Sequence, residues 1–125
     1  MGLEPGRRLI MKFKAGPEHS ASHLGSGAEV LSTPSLIAFM ERTCKALADS
    51  LPKGQTTVGV RVDVYHLRAA PIGAEIEVSA TLLSADGRRL TFWVEAFRGN
   101  EKIGQGIHER RIIDEEEFLK GLKGS

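Results

Sequence analysis

Between Thr33 and Leu51 the chain carries Leu36, Ile37, Phe39, Met40, Cys44, Leu47 and Leu51 at helical spacing. Apolar residues so placed cover most sides of a helix, and a helix with so little polar surface is stable only where something wraps it. The rest of the chain must supply the wrapping. Thr33 followed by Pro34 predicts the helix start, because threonine caps well and proline fits the first helical position, where its missing N–H costs nothing. Glu41 is out of place on such a helix. It either borders a cavity or escapes at an edge.

After the helix the hydrophobic period changes from helical to alternating. Val58, Val60, Val62 and Val64, interleaved with Gly59, Arg61, Asp63 and Tyr65, predict a strand whose valine face is buried, and His66 keeps the valines' parity. A second run sets Ile72, Ala74, Ile76, Val78, Ala80 and Leu82 against Glu75, Glu77, Ser79 and Thr81, and Asp86-Gly87 marks a hairpin turn. In the third run Leu90, Phe92, Val94 and Ala96 share a face, with Trp93 and Phe97 on the other, where outward aromatics suggest a partner surface. A fourth run extends from Lys102 to Ile113, with Gly104 and Gly106 read as glycines that let another element approach closely. Arg8 to Lys14 alternates as a further strand, and Asp114 to Leu122 reads as a short helix with acidic residues in its first turn. The irregular stretch from Gly16 to Gly27 is long enough to suggest a functional loop. One strand, a loop, a long helix and four alternating strands describe an α+β chain with an antiparallel sheet wrapped round a central helix.

At 125 residues the chain is expected to form one domain, residues 1–125. Lysine and arginine outnumber aspartate and glutamate by only 17 to 16, so bulk charge gives no reason to expect nucleic acid or an anionic membrane as partner. The single cysteine, Cys44, excludes an intrachain disulfide and fits a reducing cytoplasm as a buried, inert thiol. No apolar run approaches the ~20 residues of a membrane span, and no signal-peptide core precedes the first strand. His19 and His23 lie in the loop without a cysteine or carboxylate at zinc-like spacing, so no metal site is expected. His108 sits in a charged run and reads as a surface residue.

The segment Leu31-Ser32-Thr33-Pro34-Ser35-Leu36, then Met40-Glu41, Thr57-Val58-Gly59-Val60, Tyr65-His66-Leu67 and Pro71-Ile72-Gly73 resembles the fluoroacetyl-CoA thioesterase-like group of hot-dog proteins. The resemblance extends from roughly Leu9 to Ile113. It implies the hot-dog fold and hydrolysis of a small acyl-CoA thioester, with no cofactor and with coenzyme A entering as part of the substrate. It also implies a catalytic set of Thr33, Glu41 and His66, with Gly59 beside the thioester carbonyl.

The residues support part of this on their own. Thr33 and Glu41, eight positions apart at about 100° per residue, fall toward one side of the helix, and His66 on the valine face points toward that helix. Threonine, histidine and backbone N–H groups can supply the nucleophile or positioned water, the base and the oxyanion donors that thioester hydrolysis needs. Each residue also has a plainer role: Thr33 as a cap, Glu41 paired with Lys45 at i+4, His66 as an ordinary strand-end histidine, and Gly59 as relief of crowding. Arg68, Arg88, Arg89, Lys102, Arg110 and Arg111 are candidates for coenzyme A phosphates or for a solvated strand edge. No aromatic residue stands between Ser20 and Leu31 to act as a lid over the acyl group. Two other functions share the fold, a non-catalytic acyl-CoA or ligand-binding module and a hydratase or dehydratase, and an acyl carrier protein could replace coenzyme A. The expected assembly is a homodimer or a dimer of dimers.

Overall fold

A computed structural model describes residues 3–25 and 27–124. Its elements are β1 (Arg8–Lys14), two 3-10 turns (Pro17–His19 and Ala21–Leu24), α1 (Thr33–Leu47), β2 (Gln55–His66), β3 (Glu75–Asp86), β4 (Arg89–Arg98), β5 (Glu101–Asp114) and α2 (Glu115–Lys123). The five strands form one antiparallel sheet in the order β1-β3-β4-β5-β2. α1 packs against one face of this sheet, over β3 and β1 in particular. Gly87 takes φ +60° in the two-residue turn between β3 and β4, which only a residue without Cβ adopts cheaply.

Within β3 and β4 the expected inward positions are met, although Ser79, expected on the outer face, is also buried, its Oγ accepting from Arg8 Nε at 2.8 Å. Ile76, Val78, Ala80 and Leu82, with Leu90, Phe92, Val94 and Ala96, are all buried against Leu36, Phe39, Met40, Cys44 and Leu47 of α1. β3 starts at Glu75, leaving Ile72 and Ala74 half-buried in the preceding turn. β1 adds Phe13, whose ring stacks on Phe39 at 4.5 Å between centroids. The helix is less completely wrapped than its composition suggests. It ends at Leu47, with Leu51 half-buried beyond it, and Pro34, Ala38, Arg42 and Lys45 form an exposed stripe.

β2 departs from its expected pattern. The register shifts between Gly59 and Arg61, a β-bulge at Val60, so the inward parity passes from Thr57 and Gly59 to Val64 and His66, with Val62 of the same parity left 39% exposed. Val58 is therefore only half-buried and Val60 is 55% exposed, whereas Gly59, expected to face away, turns toward α1. Trp93 and Phe97 do sit on the outer face, but half-buried, with Lys102 Nζ 5.9 Å from the centre of the Phe97 ring.

The two glycines of β5 make room as expected. A Cβ on Gly104 would stand 2.9 Å from Leu36 Cδ2 and 3.2 Å from Tyr65 O, and one on Gly106 would collide with the backbone of Asp63 and Val64. A neighbouring backbone cannot move aside without opening the β2–β5 ladder. Gly106→Ala should therefore lose about 1–3 kcal/mol or more in urea denaturation. Gly121→Ala, on α2 with nothing within 4 Å of the new methyl group, should keep or raise stability.

Candidate functional site

The N-terminus of α1 is held from two sides. Leu31 N–H donates to Ala70 O and Ser32 N–H to His19 O, each at 2.8 Å, which ties the entry to the helix to the loops around it. The cap is Ser32, one residue earlier than expected: its Oγ accepts the Ser35 N–H at 3.2 Å. Thr33 is consequently relieved of capping. Its hydroxyl lies 2.8 Å from His66 Nδ1.

His66 ends β2 at the mouth of an open groove of about 370 Å³ running between Val30–Thr33 and His66–Ala69. Burial pushes its pKa below the ordinary histidine value, opposed by the backbone of Arg68. A neutral ring can accept the Thr33 proton at Nδ1, which places its own hydrogen on Nε2. Nε2 is buried and has no hydrogen-bond partner among the described residues.

Glu41, Gly59, His108 and Arg110 form a second cluster. A Cβ on Gly59 would stand 3.2 Å from Glu41 Oε1, 3.2 Å from His108 Cε1 and 3.5 Å from Arg110 Nη1, so all three side chains meet over the bare backbone. Arg110 donates from Nε to Thr57 Oγ1 at 2.7 Å and from Nη2 to Thr57 O at 2.9 Å. Its Nη1 lies 3.1 Å from His108 Nε2. Neither Arg110 nor His108 belongs to the surface: they are 5% and 1% exposed. The charged run His108-Glu109-Arg110-Arg111 conceals an inward series Gly104, Gly106, His108, Arg110, readable only by parity.

The expected convergence of three side chains does not occur within one chain. Thr33 and His66 are in contact, but eight residues of helix at a rise of about 1.5 Å place Glu41 about 12 Å farther along α1. Nor does Glu41 take the plainer role, because Lys45 pairs with Asp49 at 3.1 Å. His19 and His23 serve the loop, with His19 Nδ1 accepting Gly16 N–H and His23 Nε2 meeting Pro17 O, each at 2.9 Å. Among the described residues no group of histidine, cysteine, aspartate or glutamate could hold a metal ion, and no helix is long and apolar enough to cross a membrane. Cys44 is buried and its thiol is pushed up to about 12, chiefly by desolvation. Several basic candidates are engaged: Arg68 with Glu101 and Arg88 with Asp114, both at 3.2 Å, and Lys102 with Glu95 at 2.8 Å.

The shifted cap separates two neighbouring hydroxyls by function. Ser32→Ala should lose about 0.5–2 kcal/mol of stability to urea, the cost of an N-cap, whereas Thr33→Ala should lose markedly less. Equal losses would return the cap to Thr33.

Known proteins with this architecture narrow the reading. Residues 16–116 match the sequence profile of a family described as fluoroacetyl-CoA-specific thioesterase. A fluoroacetyl-CoA thioesterase of Streptantibioticus cattleyicolor is 34% identical over 125 aligned residues, covering 94% of this chain and 90% of that protein. The solved structure of the fluoroacetyl-CoA thioesterase FlK superposes with a TM-score of 0.93 at 32% identity, over 100% of this chain and 98% of the other. A hot-dog-like protein from Thermanaerovibrio acidaminovorans, 21% identical over 96% of this chain and 90% of its own, shares the fold with a TM-score of 0.90. The five-stranded sheet round α1 is thus a hot-dog fold, and the chain belongs to the fluoroacetyl-CoA-specific thioesterase family.

Proposed function

We propose that this protein is an acyl-CoA thioesterase acting on a small acyl thioester, with Thr33 and His66 as its reactive pair. The observation that carries the reading is the 2.8 Å contact between Thr33 Oγ1 and His66 Nδ1 at the groove. A threonine hydroxyl is a weak nucleophile until a base takes its proton. His66, kept neutral by desolvation, is placed to do so as the hydroxyl attacks the thioester carbonyl. Coenzyme A leaves as the thiol, and water then releases the acyl group by the same base. The reaction needs no cofactor or metal on this route.

The His66 Nε2–H requires an acceptor, since a buried donor left unpaired is costly. A second copy of the chain supplies one. β2 is an edge strand of the sheet, and its exposed run from residue 59 to 67, interrupted only by Val64 and His66, carries Val60, Val62, Tyr65 and Leu67. An open apolar edge of this kind is a template for pairing with an identical strand. Antiparallel pairing of two such edges would bring the C-terminal end of one β2, with His66, toward the N-terminal half of the other, where Gly59 and Glu41 meet. The carboxylate then orients the imidazole, and the bare backbone of Gly59 lets the thioester approach. The assembly proposed is thus a homodimer, in the reducing cytoplasm that a free buried Cys44 suits.

Free-thiol release from a panel of acyl-CoAs tests the activity. Thr33→Ala and His66→Ala should each lower kcat by about 10²–10⁴, while Thr33→Ser, which keeps the hydroxyl, should retain most of it. Because the folded-state pKa of His66 is lowered, kcat/KM should stay flat through neutral pH and fall only below the ordinary value of 6.5. The same shift makes the folded state bind fewer protons than the unfolded one in that window, so stability is lost as pH falls through it. Thiol release undiminished in both alanine variants would remove the pair from the mechanism.

A further inference from the structure

The second cluster contains a histidine that the thioester chemistry does not use. His108 is buried on the face of the sheet that carries α1, and both of its nitrogens are engaged: Nδ1 is 3.0 Å from Arg61 O and Nε2 is 3.1 Å from Arg110 Nη1. Arginine has only donors and a carbonyl only accepts. The ring is therefore neutral, with its hydrogen on Nδ1. Burial, the largest influence, favours the same neutral form, with Arg110 adding to it and the Arg61 carbonyl, Glu41 and Glu109 opposing.

The guanidinium has three directions fixed. Thr57 holds Nε and Nη2, and His108 holds the one remaining nitrogen, Nη1, which is also the nitrogen nearest the space above Gly59. Glu41 acts electrostatically on both Arg110 and His108 across that space. The Arg61 carbonyl that anchors the ring immediately follows the bulge at Val60, so the histidine also ties the bulged backbone of β2 to the cluster.

We propose that His108 is a positioning residue for the hydrolysis: as the Nδ1–H tautomer it fixes the Arg110 guanidinium beside Glu41 and Gly59. This rests on the thioesterase reading above. A purely space-filling role is the competing account, since the ring also lies 6.4 Å from that of Phe92.

Two amide substitutions separate the accounts. Asparagine places a donor where Nδ1 stands and keeps the bond to Arg61 O while losing the acceptor for Arg110. Glutamine places its oxygen near the position of Nε2 and does the reverse. His108→Asn should lower kcat about tenfold or more with KM little changed, the scale of one lost hydrogen bond to a charged group. His108→Gln should retain most of kcat even where its urea midpoint falls as far. In nitrogen-15 spectra His108 should hold the Nδ1–H tautomer, and the Arg110 side-chain signals should be sharp in the glutamine variant and averaged in the asparagine variant.

Equal kcat losses that follow stability, full activity in His108→Asn, or an Nε2–H tautomer would each overturn the proposal. If the parent protein releases no thiol from any acyl-CoA, the thioesterase reading fails instead. The tautomer and the Arg110 signals still decide whether His108 holds the arginine.

Discussion

The close approach of α1 side chains to the bare backbone at Gly59 of β2 and Gly104 of β5 is the constraint on which the rest depends. Three inward positions of those strands, Gly59, Gly104 and Gly106, carry no side chain, and a Cβ at each would meet α1, a neighbouring side chain or paired backbone. With the helix that close, Thr33 at its N-terminus reaches His66 at the end of β2, and Glu41 reaches Gly59. A larger residue at Gly59 or Gly104 would press on Glu41, Leu36 or Met40 of α1, and one at Gly106 would open the β2–β5 ladder. The polar side chains of β5 follow from the same geometry: His108 and Arg110 are buried beneath the sheet and are tolerated because each finds hydrogen-bond partners on β2.

The same seating leaves β2 incomplete. Among the described residues it pairs with β5 alone, and the bulge turns Val60 into solvent. The Thr33–His66 pair at one end of α1 and the Glu41–Arg110 cluster toward the other are set about 12 Å apart along a single helix. In the homodimer proposed above, a two-fold axis through the open edge would join the Thr33–His66 pair of one chain to the Glu41 cluster of the other. On that proposal catalytic geometry and assembly become one problem, because one contact would both bury Val60, Val62, Tyr65 and Leu67 and supply an acceptor to His66 Nε2.

Much of this was legible in the sequence where periodicity is unbroken. β3 and β4 follow their alternation, and the glycines of β5 announce close packing because nothing else explains them in a strand. Legibility failed where two residues could do the same job or where parity changed. Ser32 and Thr33 both cap well, and only the placement of His66 shows which hydroxyl is spared. The bulge at Val60 reverses the faces of β2, a shift that four regularly spaced valines conceal. His108 was hidden by its charged neighbours, although its parity with Gly104, Gly106 and Arg110 was available. The resemblance supplied the positions of Thr33, Glu41, His66 and Gly59, but helix rise, not sequence similarity, determines that one chain cannot bring all of them together.

Subunit exchange tests the shared site most directly. Thr33→Ala and Glu41→Gln proteins, each nearly inactive alone, should recover activity when mixed and allowed to exchange, because every mixed dimer contains one site with both native residues. Half of the dimers are mixed at equal input and each has one intact site of two, so recovery should approach about a quarter of the parent rate. No recovery from a mixture shown to contain mixed dimers, or a particle of only 13.6 kDa by light scattering, would contradict the account.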